Sequence, residues 1–325
     1  MNLRELARLA NVSVSTVSKA FNNAPDISED TRELVFAAAK KYGCYAKYHK
    51  EKYTKKIIAI ICPELRSYHY ADPVDRLQKL VENNNGIVLI STDDFIHRKQ
   101  AELIEYYTSF LHVDGVFVFG DNHTSRQGYE TPIIYLAATT ESGADSVCCD
   151  LSQPISQAID HLLDMHHRKI AFLSENLTTG KETLFRHAME QKGLPFPADY
   201  LVRSDYRFEK AGEDGMERLM KLPDPPTAVV CAYDYMACGA ISYLTRNGYQ
   251  VPDDFSIIGM DNINASQHMD PALTSIDSGT DEIVQIAWDL MCKKLDDRQY
   301  RLRQKIIITG ELIIRETTAP CKAAE

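Results

Sequence analysis

Residues 3–22 read Leu-Arg-Glu-Leu-Ala-Arg-Leu-Ala-Asn-Val-Ser-Val-Ser-Thr-Val-Ser-Lys-Ala-Phe-Asn, and their spacing predicts two short helices joined by a tight turn. Leu3, Leu6, Ala7 and Ala10 recur at i, i+3, i+4 and i+7, one apolar face of a helix about two turns long. Asn2 can cap its first turn, and Glu5 completes a capping box. Asn11 stands where the chain must reverse, the non-glycine residue that best tolerates left-handed backbone. Val12 buries the turn, and Ser13 is placed to accept bonds from the free N–H groups of the next helix. In that helix, Val14 to Phe21, the spacing turns Val17 and Phe21 inward and Val14, Ser15, Ser18 and Lys19 outward. A third helix is expected from Ser28 as N-cap, with Leu34, Val35 and Ala38 as its buried face and Gly43 as its end.

Small hydroxyls and one long cation on an exposed helix start suit a major groove, where phosphates and guanine edges accept bonds. Spacing alone is also compatible with a three-helix end cap that binds nothing. Charge weighs against that. The chain carries 36 Lys and Arg against 46 Asp and Glu, a net of −10. Residues 1–56 hold 11 of the former and 6 of the latter, a net of +5, which leaves 25 against 40, a net of −15, for the rest. A basic head on an acidic body favours contact with DNA through the head only, because phosphate repels the body.

At 325 residues the chain exceeds one compact core and implies two or three domains. It opens without a charged-then-apolar leader, and no apolar run nears the roughly 18 residues of a membrane span, so a cytoplasmic, membrane-free protein is expected. The eight cysteines show no metal-type spacing, and several sit in apolar segments as buried thiols would in a reducing compartment. Beyond residue 56 short apolar runs (57–62, 87–91, 115–119, 133–136, 170–173, 228–231, 256–259) alternate with amphipathic helices (75–82, 100–110, 155–165, 183–192, 236–247, 282–295). That alternation is the signature of doubly wound α/β architecture with parallel sheets.

In such sheets ligands bind beyond the carboxyl ends of the strands. The loops there offer Arg66, Tyr68, His69 and Tyr70, then Asp93, then Asp121, and from the second half Lys181, Tyr233, Asp234 and Asp261. Aromatic rings with carboxylates and a cation suit a polar ligand carrying a sugar or base face. The sheet order alone would also allow an enzyme. Against that, there is no GxGxxG after a strand, no P-loop and no GxSxG, and nothing supplies a nucleophile, cofactor or metal site. Adjacent His166 and His167 fit a helix end or turn better than a metal.

The run Val12-Ser-Val-Ser-Thr-Val-Ser-Lys19, with Asn22 and Ser28-Glu-Asp-Thr-Arg32, resembles the headpiece of the lactose-repressor (LacI/GalR) family of bacterial transcription regulators. Further similar segments span the chain: Val113-Asp-Gly-Val116, His167-Arg-Lys-Ile-Ala-Phe172, Pro226-Thr-Ala-Val229, Val251-Pro-Asp-Asp254, Ile258-Gly-Met-Asp261, Pro271-Ala-Leu-Thr274 and Arg315-Glu-Thr-Thr-Ala-Pro320. The resemblance implies a helix-turn-helix headpiece (1–44), a linker (45–56) and a periplasmic-binding-protein-like core (57–325). The core would comprise two doubly wound subdomains, about 57–147 with 278–308 and about 148–277 with 309–325, joined by crossovers near 147, 277 and 308.

It further implies a homodimer on a pseudo-palindromic DNA operator, repressing transcription under control of a small polar effector, a carbohydrate or related metabolite. Val14, Ser15, Thr16, Ser18, Lys19 and Asn22 would meet the DNA, with Lys19 reading guanine. Lys47, Lys50 and Tyr53 would follow from the linker. Arg66, Tyr68, Tyr70, Asp93, Asp121, Lys181, Tyr233 and Asp261 would meet the effector. A solute-binding protein of periplasmic type is the alternative, and an enzyme the remoter one.

Departures from the family pattern bear on the ligand. Lys181 stands where an arginine is common, Ala137 where an aspartate is frequent, and Tyr233 where an asparagine usually precedes the aspartate. The linker lacks the leucine that wedges into the minor groove and carries Tyr48 and Tyr53 nearby, which predicts a weaker bend in the operator.

Overall fold

The computed structural model describes residues 2–22, 24–45, 55–120, 130–136, 144–297, 300 and 302–322, in two units, Met1–Lys56 and Ile57–Glu325. Linker positions 46–54, including Lys47, Tyr48, Lys50 and Tyr53, lie outside the described residues, as do Asp121 and Ala137.

The first unit holds α1 (Leu3–Leu9), α2 (Val14–Phe21) and α3 (Glu29–Lys41). The caps form as the sequence predicts. Asn2 accepts from the Glu5 amide at 2.9 Å while its own N–H donates to the Glu5 carboxylate at 2.8 Å. Asn11 turns the chain at φ 52°, and Gly43 follows α3 at φ 67°. Leu6, Val17, Ala20, Val35 and Ala39 close the core. One expectation fails: Leu34 is 51% exposed. Val35 is buried as expected, Ala38 is half-buried and Ala39 takes the other inward place, a rotation that brings the Phe36 ring centroid to 5.3 Å from that of Phe21.

The second unit contains two six-stranded sheets. The first has the order β11-β5-β4-β3-β1-β2, from β1 (Lys56–Cys62), β2 (Gly86–Thr92), β3 (Gly115–Phe119), β4 (Ile133–Leu136), β5 (Asp145–Asp150) and β11 (Lys305–Thr309). The second has the order β12-β10-β9-β8-β6-β7, from β6 (Ile170–Glu175), β7 (Leu201–Ser204), β8 (Ala228–Cys231), β9 (Ser256–Met260), β10 (Thr274–Asp277) and β12 (Glu311–Ile313). In the first sheet β1, β3, β4, β5 and β11 pair in parallel, as do β7, β6, β8, β9 and β10 in the second, while β12 runs antiparallel to β10. Strands buried on both faces explain the unbroken apolar runs, such as Ile58 to Cys62 and Ala228 to Cys231, all without exposed surface.

The chain passes between sheets three times. Because Cys148, Cys149 and Asp150 pair with Ile307, Ile308 and Thr309 in the first sheet, the first passage falls after residue 150 rather than near 147. The others lie between Asp277 and Thr280 and at Gly310. The helices are α4 (Tyr68–Asn83), α5 (His97–Glu105), α6 (Ser152–Asp164), α7 (Thr179–Gln191), α8 (Phe208–Met220), α9 (Asp234–Arg246) and α10 (Thr280–Asp296). Helix α4 starts seven residues before the expected 75 and runs through Pro73, so Tyr68, His69 and Tyr70 form its first turn rather than a loop. The expected helix over 100–110 is α5 followed by a π-helical turn, Tyr106–Phe110. Among the described residues no helix is long and apolar enough to cross a membrane.

The His167 ring is 3% exposed. Its Nε2 lies 3.0 Å from the Ala319 carbonyl and its Nδ1 2.8 Å from the Thr227 hydroxyl. The carbonyl can only accept, so Nε2 carries the hydrogen of the neutral ring. The expected turn role thus becomes a clamp that fastens the carboxyl-terminal segment to the second sheet.

Candidate DNA-contact helix and effector cleft

Helix α2 begins at Ser13, whose hydroxyl accepts from the Thr16 amide at 3.0 Å and lies 2.7 Å from both the Ser15 and Thr16 hydroxyls. Val17, Ala20 and Phe21 are buried, which leaves Val14, Ser15, Lys19 and Asn22 exposed on the opposite side, with Thr16 and Ser18 half-buried. Asn22 donates to the Ser18 hydroxyl at 3.3 Å. The Lys19 ammonium is paired with the Asp26 carboxylate, whose pKa this hydrogen bond lowers. The expected base-reading residue Lys19 is thus already engaged by a carboxylate. Its carboxylate partner, seven residues on, escapes any helical spacing rule because the chain leaves α2 between them.

Both sheets have a β2-β1-β3-like order, with neighbouring loops that diverge at the β1/β3 and β6/β8 seams. Such switch points open a crevice at the carboxyl ends of the strands. A cavity of about 750 Å³ lies there, lined from one sheet by Tyr68, His69, Tyr70, Phe95 and Phe119 and from the other by Glu175, Lys181, Arg207, Phe208, Tyr233 and Asp261. A second cavity of about 630 Å³ adjoins it along the crossovers, past Asp72, Asp277 and Gly310.

Five of the expected effector residues come together in the larger cavity: Tyr68, Tyr70, Lys181, Tyr233 and Asp261. Arg66 and Asp93 do not line it. Arg66 is exposed. Asp93 is 2% exposed and turns inward, where it accepts from the Phe95 amide at 2.9 Å and from Gln100 at 3.3 Å. It holds the turn that presents Phe95 to the cavity. Sequence reasoning missed Arg207, Glu64, Glu175, Phe95 and Phe208. Arg207 follows β7, an edge strand of four residues with no apolar run to mark it, and Phe208 takes φ 57°.

Asp261 sits at φ 91°, a conformation that strains any residue with a Cβ. It is held by its amide bond to the Ile276 carbonyl at 2.8 Å and by Asn262, which donates to Asp277 at 2.8 Å and accepts from Arg315 at 2.7 Å. Lys181 donates to the Asp261 carboxylate at 2.8 Å and to the Ala232 carbonyl at 2.7 Å. His69, from the opposite sheet's side, lies 3.5 Å from the same carboxylate. Burial by itself raises the Asp261 carboxyl, but Lys181 and His69 prevail and hold it well below the usual carboxylate range. At neighbouring Asp234 burial prevails instead. Burial pushes it up to about 7, against the lowering effect of its bonds from Ser275 at 2.6 Å and the Ile263 amide at 2.8 Å.

Arg207 crosses the cleft. Its two terminal nitrogens donate to the Glu64 carboxylate at 2.6 and 2.9 Å, and its Nε lies 3.4 Å from Glu175. The guanidinium also packs over Phe208 at 4.6 Å and Phe95 at 5.7 Å. The bonds to Glu64 raise its already high pKa further. The Tyr233 hydroxyl accepts from the Phe208 amide at 2.9 Å and lies 3.5 Å from Glu175; burial foremost, then the Glu175 charge, raises its pKa.

Comparison with known proteins agrees with both halves of the chain. Residues 2–46 match the family described as bacterial regulatory proteins, lacI family, and residues 159–318 match a periplasmic binding protein-like domain. The transcriptional repressor CytR of Escherichia coli is 29% identical over 97% of this chain and 96% of its own. The lac repressor dimer bound to operator and the anti-inducer ONPF superposes with a TM-score of 0.74 at 20% identity, over 98% of this chain and 99% of that one. A LacI family regulator from Enterococcus faecium with bound ribose gives 0.68 at 22% identity, over 82% and 100%. The chain therefore joins a lacI-family DNA-binding domain to a periplasmic binding protein-like domain, the make-up of a DNA-binding transcriptional regulator controlled by an effector.

Proposed function

We propose that the protein is a cytoplasmic repressor that binds a pseudo-palindromic operator as a homodimer and is governed by a small polar metabolite, carbohydrate-like in its hydroxyl pattern, held between the two sheets. A two-fold protein reads two-fold DNA. Val14 and Ser15 enter the major groove with Lys19, which donates to guanine. Thr16, Ser18 and Asn22 steady the helix on the backbone, and Lys47, Lys50 and Tyr53 add phosphate contacts that carry no sequence information. Tyr68, Tyr70, Lys181, Tyr233 and Asp261, joined by Arg207 and Glu175, contact the effector; Arg66 and Asp93 drop out of that set.

The observation that carries the reading is the pair of contacts spanning one cavity, Arg207 to Glu64 and His69 to Asp261. A ligand between those groups changes the angle between the sheets and, through it, the DNA affinity; the sign depends on which state it binds more tightly. Selection of operators from random duplexes, with and without candidate metabolites, tests the proposal. A salt-sensitive preference for an inverted repeat is expected, with a mild bend at its centre in a circular-permutation gel. No preference for any duplex would end it.

A further inference from the structure

Among the described residues, Arg207 and Lys181, the interior cations of the cleft, each already have a carboxylate. Arg207 is held by Glu64 and Glu175, and Lys181 by Asp261. Those carboxylates are deeply set, Glu64 12%, Glu175 5% and Asp261 11% exposed in their side chains. A phosphate or carboxylate drawn to Arg207 or Lys181 must take that cation from its carboxylate; at Arg207 this leaves two deeply set carboxylates, Glu64 and Glu175, without the charge they share. Among the described lining residues the other basic side chains are His69, 3.5 Å from Asp261, and Lys305, exposed on the open edge of β11.

The walls carry a second message. On the first-sheet side Tyr70 lies 6.0 Å from Phe95 and 6.2 Å from Phe119. On the second-sheet side Phe208 lies 6.4 Å from Tyr233 and 6.0 Å from Tyr235. Aromatic side chains on both walls, flanking the Arg207 guanidinium that packs over Phe95 and Phe208, suit the apolar face of a ring, and the carboxylates beside them accept hydrogen bonds from hydroxyl or amino groups.

We infer that the cleft selects an uncharged ring bearing hydroxyl or amino donors and an apolar face, and rejects the phosphorylated form of the same molecule. The inference rests on the effector reading above and narrows it. A neutral sugar and an unphosphorylated nucleoside share that chemistry.

Thermal shift and calorimetry on the full-length protein distinguish the cases, with glucose, ribose, adenosine and uridine each measured beside its own phosphate ester. At least one unesterified compound should raise the melting temperature, with its ester at least about tenfold weaker. Whether that compound is a sugar or a nucleoside identifies the source. Glu64→Gln, which takes from Arg207 its bidentate partner, should narrow the gap to the ester by about tenfold. An ester that binds as tightly as its parent or tighter in the unaltered protein overturns the inference and leaves the cleft reading standing. If no compound of either kind binds at millimolar concentration, the cleft reading fails, and this inference with it.

Discussion

Glu64, just beyond the end of β1, and Arg207, beyond the end of β7, join the two sheets across the cleft through two parallel hydrogen bonds of 2.6 and 2.9 Å. Planar, bidentate geometry is available to arginine and not to lysine. Arg207→Ala should therefore lower core stability by about 1.5–3 kcal/mol, the range for hydrogen bonds to charged groups. Arg207→Lys should recover less than half of that. Urea unfolding measures both, and a lysine variant equal to the native protein would show that the fork contributes nothing.

Lys181→Met removes the cation that holds the buried Asp261 carboxyl low. About 2–4 kcal/mol should be lost near neutral pH, since a buried charge is left without its partner. The sign with pH follows from the lowered folded pKa of Asp261 against an ordinary 3.8. Its stabilisation is present above that value and is lost as pH falls toward the folded one. The variant should lack this acid-side loss. Denaturant midpoints compared between pH of about 5 and about 2 read it directly; parallel curves for the two proteins would contradict the assignment.

At the DNA end, Lys19 and Asp26 are exposed enough that their pair adds little to stability, but the pair sets where the ammonium points. Lys19→Ala should cost about 1–3 kcal/mol on the preferred site and relax selectivity at one position per half-site. Asp26→Asn should release the ammonium, raise affinity for unrelated duplexes and steepen the salt dependence. Gel shifts over a salt series decide it. A loss in Lys19→Ala that is uniform over all sequences would make Lys19 a phosphate contact instead.

His167 gives the core a pH dependence on the neutral side. Burial lowers its pKa from an ordinary 6.5, as it does for His161 beside Thr318. A group whose folded pKa is depressed leaves the protein most stable above the unfolded value, with stability falling as pH drops below it. The core should be more stable at about pH 8 than at about pH 5.5, and His167→Gln should flatten that slope while lowering the plateau. Melting temperatures across the range provide the check; an unchanged slope in the variant would place its origin elsewhere.

Helices α8 and α9 approach through two glycines. A Cβ on Gly212 would lie 1.9 Å from the Met236 carbonyl oxygen, and one on Gly239 would lie 1.9 Å from that of Glu209. Backbone cannot yield as a side chain does, so Gly239→Ala should cost about 1–3 kcal/mol or more by forcing the helices apart. The same shift displaces Phe208 and Tyr233 at the helix starts, so ligand affinity should fall with stability. A variant with native melting temperature would mean that the helices separate without cost.

Much of this was legible from one dimension. The caps at Asn2, Ser13 and Ser28, the reversal at Asn11 and the inward Val17 and Phe21 depend on neighbours within four residues, and spacing reports such neighbours. The apolar runs from Ile57 to Cys62 and from Ala228 to Cys231 announce strands covered on both faces. What spacing could not supply was partnership between distant segments. Glu64 and Arg207 are separated by 143 positions and Lys181 and Asp261 by 80; nothing local to any of them records the other. Asp93 has the same residue type and strand-end placement as a ligand contact, yet its carboxylate turns inward to hold Phe95. Local order follows from periodicity and backbone preference, which act along the chain. Which charges neutralise each other, and hence which remain for a ligand, was decided only when two sheets brought their carboxyl ends face to face.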